Sequence, residues 1–378
     1  MRFLHLADLH LGKVLHKQNL HEDQKFILHE ILQIAEEQQI DAVLIAGDVY
    51  QRNAPSAEAM TLFSNFITEF TIRHLPCYII SGNHDSAERI TYLAPLAQRS
   101  NVYISGADTA KIYQYTCSDA YGEIILHLMP FTTPMQMRAA APDQADEIQT
   151  YNDAIRILMQ NHTVDTRKRN ILIAHQFLTG AQVCDSEELA IGGLDQVSAS
   201  LFDDYDYVAL GHLHGPQQVE RPEIRYAGSP LMYSFSEVHQ RKSVTIVDLL
   251  EKGHVHIETV PLKPLRNMQI LSGSFEDLMQ MPRCEDYVQL TVTDPVPPVN
   301  AARALRTVFP NCLQTLFAQS ADDPEIFRTS QSVPQSSDFL TLIQEFYAAQ
   351  HDGAALSDAQ NQIVRKILDA LDQKEGAL

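Results

Sequence analysis

Along the first 260 positions, short unbroken apolar runs are separated by stretches in which apolar residues return every third or fourth position. The runs predict strands at FLHLA (3–7), AVLIA (42–46), CYIIS (77–81), IILHLM (124–129), NILIA (170–174), YVAL (207–210), SVTIVDL (243–249) and HVHIETV (254–260). Their shortness and their β-branched content fit strands buried on both faces. The intervening stretches have the helical period. Ile27, Ile31, Ile34 and Ala35 share one face of a predicted helix over 23–39. Met60, Phe63, Phe66, Ile67 and Phe70 do so over 57–72, behind a Pro55-Ser56 start signal. A further helix is predicted over 145–160. Strands alternating with helices predict an α/β domain with helices on the faces of its sheets.

Pro261-Leu262-Lys263-Pro264 then reads as a linker, because two prolines end a strand and stiffen the chain. Beyond it a strand (286–294), a helix (299–309) and a strand (312–318) predict a small β-α-β module. Residues 321–338 are polar and interrupted by proline. Phe339, Leu342, Ile343, Phe346 and Tyr347 then form an apolar stripe, and a second helix is predicted from Ser357 to Leu371. The expected division is 1–262, 263–320 and 321–378.

Composition changes this picture little, and charge complicates it. The 378 residues are 45% hydrophobic and 20% charged, an ordinary globular balance. The net charge of −20 argues against a basic protein that coats nucleic acid or docks on an anionic membrane. No apolar run is long enough to span a bilayer, and Asp8 and two histidines interrupt the start of the chain, so no signal peptide is expected. Five widely spaced cysteines without a CxxC pair speak against a disulfide scaffold or a thiolate zinc site and predict a reducing cytoplasm. Arg167-Lys168-Arg169 is the one basic run and reads as a solvated loop.

Sixteen histidines carry the first hint of chemistry. Five short motifs stand directly after predicted strands: Asp8-Leu9-His10, Gly47-Asp48, Gly82-Asn83-His84-Asp85, Ala174-His175 and Gly211-His212-Leu213-His214. Ligands collect outside the carboxyl ends of strands in open α/β sheets, so the five motifs are expected to converge. Carboxylates, an amide oxygen and imidazoles, with no thiolate, suit Mn, Fe or Zn. Such a set exceeds what one ion needs. Shared through Asp48 it predicts a dinuclear centre with ions ~3.5–4 Å apart. Other histidines serve as contrasts: His5 and His127 sit inside apolar strands and are expected to be hydrogen-bonded sheet residues, and His254 and His256 to face solvent.

D-x-H, G-D, G-N-H-D, H and G-H-x-H in this order resemble the calcineurin-like metallophosphoesterase superfamily. RFLHLADLHLGK, IAGDVYQRNAPS, ISGNHDS and the stretch from Phe202 to Ser243 resemble, within it, the bacterial nuclease subunits related to double-strand-break repair complexes. The resemblance implies a two-sheet sandwich flanked by helices, a small α+β capping domain and C-terminal helices that bind an ATPase. One metal would be held by Asp8, His10, Asp48 and His214, and a second by Asp48, Asn83, His175 and His212. His84 would be the catalytic histidine, near the leaving group and not bound to metal, and Asp85 would orient the neighbouring imidazole. The cofactors implied are two Mn2+, with Mg2+ or other divalent ions as alternatives. The implied activity is 3′→5′ exonuclease on duplex DNA and endonuclease on single strands and hairpins. Its implied partners are a coiled-coil ATPase and a second copy of the chain, with no membrane. The chain lacks the P-loop GxxxxGK[ST], so any nucleotide must come from another subunit. One departure is Gln51, where archaeal and eukaryotic relatives carry a further active-site histidine. Two rival readings stay open: a small-molecule or phosphoprotein phosphoesterase, for which Arg52 is a foothold, and a non-catalytic scaffold. The helix at 57–72 is either a dimer interface or core.

Overall fold

The computed structural model describes residues 1–318, apart from residues 107, 186 and 188–195, together with a few residues between 347 and 364. The chain divides into two compact units, Met1–Ala318 and Gln319–Leu378. The predicted stripe at 339–347 and the helix from Ser357 lie almost wholly outside the described residues.

Two six-stranded sheets form the first unit's centre. In the first, the strands Val255–Pro261, Ser243–Leu249, Arg2–Leu6, Ala42–Ala46, Cys77–Ile80 and Val102–Ser105 lie in that order. In the second the order is Gln217–Val219, Arg221–Tyr226, Tyr207–Gly211, Arg169–His175, Gly122–Met129 and Tyr113–Asp119. Phe3, Leu44, Tyr78 and Ile80 of the first sheet share one buried core with Leu126, Ile171, Ile173 and Ala209 of the second. The outer face of the first sheet is covered by the helices His21–Glu37 and Ala57–Ile72, and that of the second by Tyr151–Gln160. Strands covered on both sides must be apolar throughout, which is why they appear in the sequence as unbroken runs. Each fully buried large side chain contributes about 1.5–3 kcal/mol.

The helix Ala57–Ile72 starts where Ser56 accepts a bond from the Ala59 amide at 3.2 Å. Its Phe63, Phe66 and Phe70 are buried in the core, while Met60 and Ile72 are exposed. Core packing therefore accounts for the phenylalanines.

Three expectations need correction. The helix predicted over 145–160 is a 3-10 turn, Pro142–Glu147, followed by a helix that begins only at Tyr151. There Thr150 and Asp153 form a capping box that sets the start. The edge strand Tyr113–Asp119 was not predicted, because its residues alternate between exposed and half-buried and form no apolar run. The small module beyond Pro264 begins with an unforeseen strand, Met268–Gly273, and helix, Phe275–Gln280. Its sheet is parallel, in the order Met268–Gly273, Tyr287–Val292, Cys312–Phe317, over its own core of Leu278, Leu290, Leu305 and Phe309.

Candidate metal centre

Arg2–Leu6, Ala42–Ala46 and Cys77–Ile80 run parallel, as do Arg169–His175 and Tyr207–Gly211. Their carboxyl ends bring all five motifs to one place. The loops after the first two strands are stitched together by Asp8 N to Gly47 O (3.1 Å), His10 N to Asp48 O (2.9 Å) and Gln51 N to Leu11 O (3.1 Å). The sheets touch across the sandwich where His175 Nδ1 lies 2.7 Å from Ala46 O.

That approach requires glycine. A Cβ on Gly211 would sit 2.0 Å from Ala46 O, one on Gly82 2.1 Å from Asp48 Oδ1, and one on Gly47 2.5 Å from His175 Nδ1. The backbone is also strained here. Asp8, His10, Asp48 and His212 all have positive φ, at 53°, 44°, 49° and 104°. Such conformations cost of order 1–3 kcal/mol each and persist only where surrounding structure imposes them.

The donor atoms then face one another. His10 Nε2 lies 3.0 Å from His214 Nε2 and 3.6 Å from Asp48 Oδ2. His175 Nε2 lies 3.4 Å from Asp48 Oδ2 and 3.0 Å from Asn83 Oδ1, which is also 3.0 Å from His212 Nδ1. Asp8 accepts from the His212 amide at 3.0 Å. Asp8, His10 and His214 offer donor atoms within 4.8 Å of one another, and so do Asp8, Asp48 and His175. Asp8, His10, Asp48, His175, His212 and His214 are buried, while Asn83 and His84 are half-buried.

The charges in this cluster are in conflict. Burial, with Asp48 close by, pushes the Asp8 carboxyl well above its usual range. Burial also opposes ionisation of Asp48, but His175, His10 and His84 hold its carboxyl far below that range. Against the cost of burial, Asp48 raises His175 to about 9. His212 is pushed down to about 3 by burial and by His175, and His10 is lowered by burial. The donor set fits divalent cations. With Nδ1 of His175 donating to Ala46 O, a neutral ring turns its Nε2 lone pair towards two oxygens that are also acceptors. Only a proton or a cation between them removes the conflict. His10 and His214 meet nitrogen to nitrogen beside this cluster, and among the described residues the buried His10 Nδ1 has no hydrogen-bond partner.

His84 stands beside this cluster. Its Nδ1 lies 3.2 Å from the Gln51 carbonyl and its Nε2 4.0 Å from Asp48 Oδ2. The contact at position 51 is thus made by backbone, and it is independent of the side chain found there. Asp85 needs correction, since it does not orient the His84 ring. Its oxygens accept from the amides of Gly82 (3.0 Å), Val49 (3.1 Å) and Tyr50 (2.9 Å), tying the Asn83 loop to the Asp48 loop. The tight turn points its carboxylate at unsatisfied N–H groups, a stronger demand than a neighbouring ring makes. Burial, then Asp48, pushes Asp85 up to about 6.

The contrasting histidines lie as expected. His5 bonds Tyr207 Oη and Leu210 O, His127 bonds Asn170 and His162, and His254 and His256 are exposed. The basic run is neutralised locally: Arg167 pairs with Asp165, Lys168 with Glu123, and the buried Arg169 with Asp119. Sequence reasoning missed Glu187, whose carboxylate accepts from the His214 amide at 2.6 Å, and the buried pair Glu237 and Lys242. The signal available was a glutamate and a lysine five residues apart, inside the stretch that carried the resemblance.

Comparison with known proteins shows the family. Residues 1–216 match the family model described as calcineurin-like phosphoesterase. Over its whole length the chain is 33% identical to the whole of the SbcD chain of nuclease SbcCD from Staphylococcus epidermidis. It is 32% identical to the counterpart of that protein in Staphylococcus saprophyticus, over 98% of each chain. Among solved structures, a dimetal phosphatase from Danio rerio aligns with TM-score 0.43 and 10% identity, over 70% of this chain and 98% of that one.

Proposed function

The chain belongs to the calcineurin-like phosphoesterase family, whose members are metal-dependent phosphoester hydrolases, and from that premise we propose that it is the nuclease subunit of an SbcCD-type complex. One observation carries the reading. Seven side chains able to hold a metal converge from five strand ends on one place, in a chain that aligns end to end with proteins named as nuclease subunits.

In this reading Asp8, His10, Asp48 and His214 hold one ion, and Asp48, Asn83, His175 and His212 the other. The ions are Mn2+, with Mg2+ as the alternative. Bound there, they supply charge stabilisation for the phosphate and a water acidic enough to attack near neutral pH. The protein's own part is positional. Asp48 keeps its charge because three imidazoles surround it. Asp85 locks the two loops that carry Asp48 and Asn83. His84, held through Nδ1–H by the Gln51 carbonyl, presents Nε2 towards the cluster. Acting as an imidazolium, it gives the Nε2 proton to the departing ribose oxygen and is left as the neutral ring, a contribution of ~10²–10⁴-fold.

The substrates are duplex ends, digested 3′→5′, and hairpins and single strands, cut internally, in the repair and recombination of DNA in the cytoplasm. With a net charge of −20 and its one basic run internally paired, the chain displaces few counterions from DNA. It therefore relies on a coiled-coil SbcC-like ATPase, bound through 321–378, and on a second copy of itself to hold the duplex. Among the described residues no helix is long and apolar enough to cross a membrane. The test is end-labelled linear duplex DNA with Mn2+, with and without the ATPase. Shortening from 3′ ends, enhanced by the ATPase, is expected. Cleavage of a chromogenic monoester alone would transfer the reading to a small-molecule phosphoesterase, and no cleavage with any divalent ion would make the chain a scaffold.

A further inference from the structure

Buried charges that no reaction step uses need a reason to exist. Glu237, fully buried in the turn Phe235–Glu237, and Lys242, also buried, are such a pair. Taking two charges out of water costs several kcal/mol per ion, and apolar replacements of similar volume are often as stable. Stability alone is therefore a weak reason for their presence.

Their contacts point elsewhere. Lys242 Nζ, with three N–H donors, lies within hydrogen-bond distance of four acceptors: Glu237 Oε2 (2.5 Å), Gln240 Oε1 (2.8 Å), Ser229 Oγ (2.9 Å) and the main-chain oxygen of His214 (2.8 Å). Glu237 Oε1 accepts from the Tyr233 amide at 3.2 Å and lies 3.5 Å from His214 Nδ1. The lysine thus grips the backbone of His214 while the carboxylate faces the far nitrogen of its ring. With Nδ1–H turned to a carboxylate, the Nε2 lone pair is directed at the space shared with His10 and Asp8. Among the described residues His10 has no such support, since its Nδ1 has no hydrogen-bond partner there.

We propose that Glu237 and Lys242 are positioning residues for one half of the metal centre, fixing the tautomer and orientation of His214 so that the ion beside Asp8 and His10 binds tightly. This rests on the two-ion reading above. A carboxylate behind a metal-binding imidazole fixes the ring and raises its basicity, and its loss typically weakens metal binding 10–100-fold.

The test is Mn2+ titration calorimetry on metal-free full-length protein. Glu237→Gln alone leaves Lys242 without its carboxylate, so the double variant Glu237→Gln/Lys242→Met is measured beside it. The parent should bind two ions. The double variant should bind one as the parent does and the other 10–100-fold more weakly. Unchanged binding of both ions, or equal loss of both, overturns the proposal, since a merely structural role does not discriminate between them. A parent that binds fewer than two ions overturns the two-ion reading itself. A second measurement needs no variant to fold: 15N ring correlations of Zn2+-loaded parent, in which His214 should be the Nδ1–H tautomer. An Nε2–H tautomer overturns the proposal.

Discussion

Two groups of buried histidines lie within one sandwich and meet opposite fates. In the strand interiors, His5 Nδ1 lies 2.9 Å from Tyr207 Oη and its Nε2 3.1 Å from Leu210 O, so one proton on the ring satisfies both nitrogens. At the strand ends, His10 meets His214 nitrogen to nitrogen, and His175 and His212 converge on the same Asn83 oxygen. The residue type, the depth and the sheets are the same. What differs is the company: His5 faces a hydroxyl and a carbonyl, whereas each strand-end ring faces a further metal-type donor from another motif. With Nδ1 donating to Ala46 O, the buried His175 turns its Nε2 lone pair on two oxygens, a conflict that a proton or a cation relieves. Burial therefore makes one group structural, while the other gathers a donor set that a divalent cation fits.

The largest expected effect comes from breaking the strand-end group at its centre. Asp48→Asn keeps the shape but removes the charge that three imidazoles surround. Both ions should be lost together by metal analysis, with activity down on the order of 10³-fold or more. Loss of a single ion would show that Asp48 is not shared. His84→Gln tests the edge of the group. Its Nε2 reaches the same Asp48 oxygen, and His10, Asp48 and His84 offer donor atoms within 4.8 Å of each other. If His84 handles a proton and holds no metal, the variant should retain two ions by metal analysis and lose ~10²–10⁴-fold in turnover. A variant short of one ion would move His84 into the metal-binding set.

Much of this was legible in the sequence. Strands covered on both faces must be continuous apolar runs, and a chemical motif that begins where a run stops stands at a strand's carboxyl end. The positions of Asp8, Asp48, Asn83, His175 and His212 followed from that alone. The partners of Asp85 did not. Sequence proximity pointed to His84, whereas the turn directs its carboxylate to three amides, one local and two from a loop about 36 residues away. Glu237 and Lys242 were hidden for a related reason. FSEVHQRK has the composition of a solvated turn, and only the packing of that turn against His214 buries its charges. The edge strands Tyr113–Asp119 and Met268–Gly273 alternate weakly because one face is exposed, so no run announced them.

The smallest effect sharpens the comparison from the structural side. Burial, aided by Arg225, pushes His5 down to about 3 against an ordinary value near 6.5. Below that ordinary value the unfolded chain takes up a proton that the folded chain refuses, so the His5 contribution is intact at neutral pH and falls as pH drops. By pH 5 the loss amounts to about 2 kcal/mol, and it continues until the folded ring titrates near pH 3. Urea unfolding at pH 7 and pH 5 should reveal it, and His5→Gln should remove about that much of the difference between the two pH values. Because the His5 ring is satisfied by Tyr207 and Leu210, this component should be the same in EDTA and in Mn2+. A His5 component that disappeared on adding Mn2+ would place this ring in the strand-end group and erase the distinction between the two.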